Sequence, residues 1–391
     1  LTFLDFSGGG TAQAECMAPE ALAWLLATNA RLTSVVDLAG SDDRWAGFRE
    51  VVELLVAHDP KERDDFFKLI LAMAVVWDQP RPAIHQQIGK PGIPYEPDLA
   101  ARYDYFKSLY SGGRALSSYD SLSPTALTYV VDTPVPVSEL EWCRKKVRGA
   151  RGSWDRKYNQ IEYDYDRLER GAYSWEDGTY ALAAIEEGGG ICVDQAYYCM
   201  MTARALGMPA IYFHGEGRRG SHAWFGYLKS STKWDMDAGR YEYDGYVTGY
   251  AVNPQTNKAM TDHEVALTCD RVLRSDRFEQ AGQYGRLAAA MLDLGSADAA
   301  KFFANKANQM VPPYDLPWQI LLAIAAQEQK PEEQLALLKR QDEAFARYPD
   351  ALMTIRKQQI EILRRLGRED EAEGLLAKLQ TEVGRGDRAD L

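Results

Sequence analysis

Gly188-Gly189-Gly190-Ile191-Cys192-Val193-Asp194-Gln195-Ala196 is the densest chemical signal in the chain. Three glycines allow a tight turn and a close backbone approach. The apolar run Ala196 to Leu206, stopped by Gly207 and Pro209, predicts a helix that begins at Cys192. A thiol in the first turn of a helix meets amide dipoles that favour its anion, which lowers its pKa below the free value of about 8.5. Downstream, short strands are expected at Ala210–His214, His222–Leu228 and Lys233–Asp237. A further pair, Tyr246–Val252 and Lys258–Met260, is joined by the turn former Asn253-Pro254.

A cysteine nucleophile needs an imidazole to take its proton and return it to the leaving amine. His222 is supplied by a strand only 30 residues on, and alternation puts Trp224 on the same face, where its indole can wall a substrate pocket. A carboxylate must hold the imidazole in the right tautomer. Asp237 is the best placed, with Asp235 in reserve because a period of two puts both on one face. Gly190 is expected to let substrate backbone approach the sulfur, and the Cys192 N–H is a natural oxyanion donor. Cys199, two helical turns on, reads as core. A metal site from Cys192, His214 and His222 has no paired ligand spacing behind it.

Gly-x-Cys at a helix start, His-Ala-Trp on a strand and Trp-x-x-Asp on the next resemble the transglutaminase-like superfamily of papain-like cysteine enzymes, over roughly residues 123–274. The resemblance implies Cys192 as nucleophile, His222 as base and Asp237 as orienting acid, with no metal or cofactor. In that family the acid usually follows the tryptophan by four positions; here Asp237 follows Trp234 by three and Asp235 by one. Family members add a second oxyanion donor upstream of the cysteine, a role for which Trp154, Tyr173, Trp175 and Tyr180 all stand open. The implied activity is acyl transfer on peptide or glutamine amides through a thioester. Hydrolysis, as in bacterial members flanked by helical repeats, is favoured over cross-linking. An inactive scaffold that recruits a partner is the alternative, and a peptide-binding domain of the cell envelope a third reading.

Around this centre the expectation is α+β with three domains: helical support at 1–117, the catalytic domain at 118–275, and helical repeats at 276–391. In the first, helices are expected over Ala21–Leu32, Arg44–Val56, Lys61–Val76 and Leu99–Tyr110, while His58 and His85 stand alone. Ala126–Val131 is β-branched and aromatic and reads as extended; Ser138 reads as a helix cap. Tyr158 to Tyr173, dense in Tyr and Asp, could line a groove or edge the core. Glu216, Arg218 and Arg219 fall in a hairpin loop. Thr261-Asp262-His263-Glu264 fits a capping box, which leaves His263 in an exposed first turn. In the tail, Leu294-Gly295 recurs as Leu366-Gly367, with Lys330-Pro331 near half of the offset. This is a loose tetratricopeptide-like period of a kind that binds protein partners.

Composition narrows the function class. Of 391 residues, 45 are Lys or Arg and 57 Asp or Glu, a net charge of −12 that lacks the basic field of a nucleic-acid binder. No apolar run reaches the ~20 residues of a membrane span. Five scattered cysteines form neither a disulfide framework nor a zinc cage. The chain opens at Leu1 without a methionine, which suggests a removed export signal and a periplasmic site, or a trimmed chain.

Overall fold

A computed structural model describes residues 17–40, 42–81, 97–175, 180–217, 220–240 and 248–383. Cys16, His85, Arg218, Arg219 and the first residues of the strand expected from Tyr246 lie outside them. The fold is α+β: mostly helical, with one antiparallel sheet of five strands.

Two compact units emerge, and the boundary expected at residue 117 is not one of their limits. In the first unit, helices α1 (Pro19–Leu26), α2 (Asn29–Leu38), α3 (Trp45–His58), α4 (Phe67–Val76) and α5 (Leu99–Ser111) precede the central segment. One continuous apolar core runs from Met17 to Ala238, so these helices and the sheet are held by the same burial. Each long expected helix is present, but the one expected from Lys61 begins only at Phe67, after a run of turns, and Ala21–Leu32 is two helices. Thr28 breaks the run and caps α2, accepting from the Arg31 N–H at 3.3 Å.

Ala126–Val131 is the clearest local correction, because it is helical. Ser123 accepts the Ala126 N–H at 3.1 Å and Pro124 takes the first turn, so α6 (Pro124–Val131) has a strong start signal. Packing of α6 against α4, apolar throughout except for Lys68, then outweighs the β preference of its side chains. Next comes α7 (Val137–Lys146), which begins after Pro136 without a side-chain cap from Ser138. A 3-10 segment (Arg151–Gln160) and the short α8 (Tyr165–Glu169) and α9 (Leu182–Gly188) lead to α10 (Cys192–Ala205). Helix α10 is buried on nearly all sides and lies on β2 of the sheet.

The strands are β1 (Ala210–Gly217), β2 (Gly220–Leu228), β3 (Trp234–Ala238), β4 (Gly249–Val252) and β5 (Ala259–Thr261), in the order β3-β2-β1-β4-β5. The β2–β3 ladder pairs Leu228 with Trp234 and Tyr227 with Asp235, then slips so that Phe225 meets Ala238. A bulge therefore inserts one extra residue on β3, around Met236 and Asp237.

The second unit contains α11 (Asp262–Thr268) and then α12 (Asp276–Asp293), α13 (Ala297–Met310), α14 (Asp315–Gln327), α15 (Pro331–Ala344), α16 (Pro349–Arg365) and α17 (Glu369–Val383). Thr261 and Glu264 form the expected capping box at 3.1 and 2.8 Å. His263 is half-buried beside Asp262 rather than exposed. The internal repeat has a backbone cause. Gly295, Gln329 and Gly367 all adopt positive φ (75°, 54° and 71°) just past a helix end. At each, the next N–H reaches back five residues: Ser296 to Met291, Lys330 to Ala325 and Arg368 to Leu363, at 2.8–2.9 Å. This is the Schellman stop, repeated three times to fold each helix back along its predecessor.

A buried ionic knot ties the first unit. Asp132, at the end of α6, pairs with Arg81 at 2.9 Å and with Arg204 of α10 at 2.8 Å, and the two guanidinium groups hold its carboxyl low despite full burial. Asp78 behaves oppositely. Burial pushes it up to about 7, against the Arg44 N–H and with Asp43, Arg81 and Arg44 as its charged neighbours. A carboxyl raised in the folded state favours folding while protonated, and that contribution is lost as pH climbs through about 7. Urea unfolding of Asp78→Asn is therefore expected to show a flatter stability profile than the wild type between about pH 4 and 7, the window in which the wild-type carboxyl gives up its contribution. Parallel profiles would contradict this.

Candidate functional site

The first turn of α10 is built on Asp194. Its carboxylate has no exposed surface and accepts the Ile191 N–H at 2.9 Å, reaching back over the helix start. Arg167 pairs with it at 3.0 Å and the Tyr180 hydroxyl donates to its other oxygen at 3.0 Å. Burial still raises the Asp194 carboxyl, against the pull of Arg167. The glycines explain themselves around this group. A Cβ on Gly190 would lie 2.5 Å from the Asp194 Cβ, and one on Gly189 2.5 Å from the Glu162 carbonyl oxygen. Gly189 also has φ +76°, which excludes most other residues. Gly190 donates to the Glu162 carbonyl at 2.9 Å and accepts from the Asp164 N–H at 3.1 Å, as a parallel bridge with Tyr163. Its N–H and carbonyl are thus both spent on fastening the turn to residues 162–164.

Cys192 stands half-buried at the head of α10. Burial pushes its thiol up. The N–H groups of Ala223 and Val193 pull it back, the Asp194 charge adds to the rise, and its own N–H lowers it again. The Ala223 N–H belongs to the peptide bond that joins Ala223 to His222, so the sulfur rests against the strand at the histidine. Burial is the largest of these effects, so the thiol is raised where helix placement alone predicts it lowered.

His222 is buried. Its Nε2 lies 2.7 Å from the Gly239 carbonyl oxygen, which can only accept, so Nε2 carries the proton and the basic lone pair is on Nδ1. Trp224 shares its face as expected, stacked at 6.2 Å, but the indole is fully buried. It donates to the Met236 carbonyl at 3.1 Å and carries the Arg240 guanidinium over its ring, so it backs the imidazole and is no open pocket wall.

The expected acids go elsewhere. Asp237 is 65% exposed and pairs with Arg240 at 3.0 Å; Asp235 pairs with Lys229 at 2.8 Å. The bulge is the reason, because the extra residue breaks the alternation on which a shared face depended. The acceptor found on His222 is a backbone carbonyl. Gly239 had no sequence signal beyond being a glycine, yet its φ of +85° and a phantom Cβ 2.4 Å from the Tyr158 ring admit little else.

Of the four oxyanion candidates, Trp154 spends its indole N–H on the Cys199 carbonyl at 3.0 Å and Tyr180 its hydroxyl on Asp194. Tyr173 is exposed, and Trp175 packs between Tyr180 and Arg167. Tyr158, outside those four, does reach the site: its hydroxyl donates to the Ala223 carbonyl at 2.7 Å. Cys199 is core, its thiol pushed far up by burial. His214 lies exposed between the Tyr212 and Tyr250 rings, Glu216 is exposed on β1, and His58 pairs with Asp104 at 3.0 Å. Among the described residues no group of three His, Cys, Asp or Glu side chains is placed to hold a metal ion, and no helix is long and apolar enough to cross a membrane.

No family model, curated protein or solved structure matches the chain. The site must be read from its own geometry.

The glycine assignments separate cleanly by mutation. Gly190→Ala is expected to cost about 2–4 kcal/mol in chemical denaturation, because Asp194 must leave its buried partners to admit the methyl. Gly188→Ala, with nothing within 4 Å of the new Cβ, is expected to be neutral within about 0.5 kcal/mol or slightly stabilising. Equal losses in the two variants would refute this account of the turn.

Proposed function

We propose that the protein is a cysteine-nucleophile acyl-transfer enzyme of the transglutaminase-like kind, with Cys192 as nucleophile and His222 as base. The observation that supports it most is the position of Cys192: a sulfur at a helix N-terminus, ringed by N–H donors and resting on the peptide unit of His222.

The chemistry is that of a neutral pair. As the sulfur attacks an amide carbonyl, Nδ1 of His222 takes the thiol proton, and the Gly239 carbonyl steadies the imidazolium through Nε2–H. The oxyanion draws on first-turn N–H groups of α10. The proton passes to the departing amine, the C–N bond breaks and a thioester forms. Water then adds to the thioester, giving a carboxylic acid and returning the proton to sulfur. An amine in place of water makes the same site a cross-linking enzyme, but hydrolysis of a peptide or glutamine amide is the reading favoured here.

The alternative is an interaction scaffold, and the raised thiol speaks for it. The second unit exposes Leu287, Leu294 and Phe302 on α12, its C-terminal turn and α13, apolar surface of a kind that protein partners cover. An activated ester separates the two readings. With p-nitrophenyl acetate, the enzyme reading predicts a burst of one nitrophenolate per chain and an acetyl group on Cys192. The burst is absent in Cys192→Ala and slowed about 100-fold or more in His222→Ala. Acetylation no faster than that of a free thiol, and indifferent to His222, establishes the scaffold instead.

A further inference from the structure

Three separate pieces of backbone must keep their register if Cys192 and His222 are to work together: the start of α10, strand β2 at 222–223, and the turn at Gly239. Tyr158 touches all three. Its hydroxyl donates to the Ala223 carbonyl at 2.7 Å and lies 3.5 Å from the Cys192 carbonyl. Its ring stands edge-on to His222 at 6.2 Å. The ring also lies so close to Gly239 that a Cβ there would fall 2.4 Å away. The side chain is almost wholly buried, so these contacts are not shared with bulk water.

We propose that Tyr158 is the positioning residue of the site, which fixes the Ala223 peptide against the sulfur and the Gly239 carbonyl against the imidazole. This rests on the acyl-transfer reading for its purpose, though not for its geometry. The physical route is short. The hydroxyl fixes the Ala223 carbonyl, which fixes the orientation of that residue on β2, and the N–H of the same residue serves the sulfur. Removal of the hydroxyl leaves a buried carbonyl without this donor and lets the strand turn. The ring separately holds the Gly239 carbonyl on its line to Nε2, because that turn has no room to close inward.

The control lies on the same strand. Tyr227, equally buried, donates its hydroxyl to Asp155 at 3.0 Å, at the far end of β2 from His222. Tyr158→Phe and Tyr227→Phe each remove one oxygen from a buried ring, so a merely structural contribution would move them alike. Two readouts follow the full-length protein: the pH profile of Cys192 alkylation by iodoacetamide, and the burst rate with p-nitrophenyl acetate. In Tyr158→Phe the alkylation inflection is expected to rise by about half a pH unit or more, as the sulfur loses an N–H donor. The burst should slow about tenfold. Tyr227→Phe should leave both near wild type. Matching profiles in the two variants, or an unchanged inflection in Tyr158→Phe, overturn the proposal. If wild-type protein gives no burst at all, the acyl-transfer reading fails, while the alkylation profiles still decide whether Tyr158 places the peptide against the sulfur.

Discussion

Asp194 carries a charge that folding has removed from water, and the site is arranged around satisfying it. A carboxylate with no exposed surface survives only with hydrogen-bond donors on both oxygens. Here they are the Arg167 guanidinium, the Tyr180 hydroxyl and the Ile191 N–H, from three separate stretches of chain. Because Ile191 is the residue before the first turn, the same bond that satisfies Asp194 decides where α10 begins. That in turn decides which residue stands at the head of the helix, and it is Cys192. Loss of either Gly189 or Gly190 would put a methyl group into this arrangement.

The electrostatics of Cys192 are a contest between place and depth. Helix position and three N–H groups favour a thiolate, whereas burial and the Asp194 charge disfavour it, and burial is the larger effect. On the proposed acyl-transfer reading, a thiol raised by burial needs a base at the moment of attack. His222 is suited to that, with its proton fixed on Nε2 by a carbonyl that cannot give one. A backbone acceptor orients an imidazole as well as a carboxylate does but stabilises its cation less. This pairing therefore suits a neutral resting state better than a standing ion pair.

Much of this was legible in the sequence where the deciding interaction is local. The helix start Thr261-x-x-Glu264 and the Leu-Gly stops of the repeats act within a few residues, so their types and places can be read directly. In α6 two local signals conflict: the β-branched residues read as extended, and the Ser123 cap that precedes them decides for helix. The pair of aspartates failed for a different reason: alternation holds only along an unbroken ladder, and nothing in Trp234–Ala238 announces the bulge. Asp194 had a visible signal, an acid three positions after the residue that precedes the helix. Arg167, Tyr158 and Gly239 had none, since each acts through a contact made across 17 or more residues of chain. The joint core of the N-terminal helices and the sheet was hidden likewise, being a property of packing and not of composition.

The central claim is that the buried Asp194 network holds the head of α10 against β2, and amide hydrogen exchange tests it most directly. Mass spectrometry would follow peptides spanning 189–196 and 221–226 in wild type and Asp194→Ala. The account predicts slow exchange in both segments of the wild type. It predicts acceleration of about 100-fold or more in both segments of the variant, because an unpaired Arg167 and a freed helix start let the two elements part. The helices of the second unit should exchange as before. Unchanged protection at 221–226, with loosening confined to the helix start or absent altogether, would contradict it.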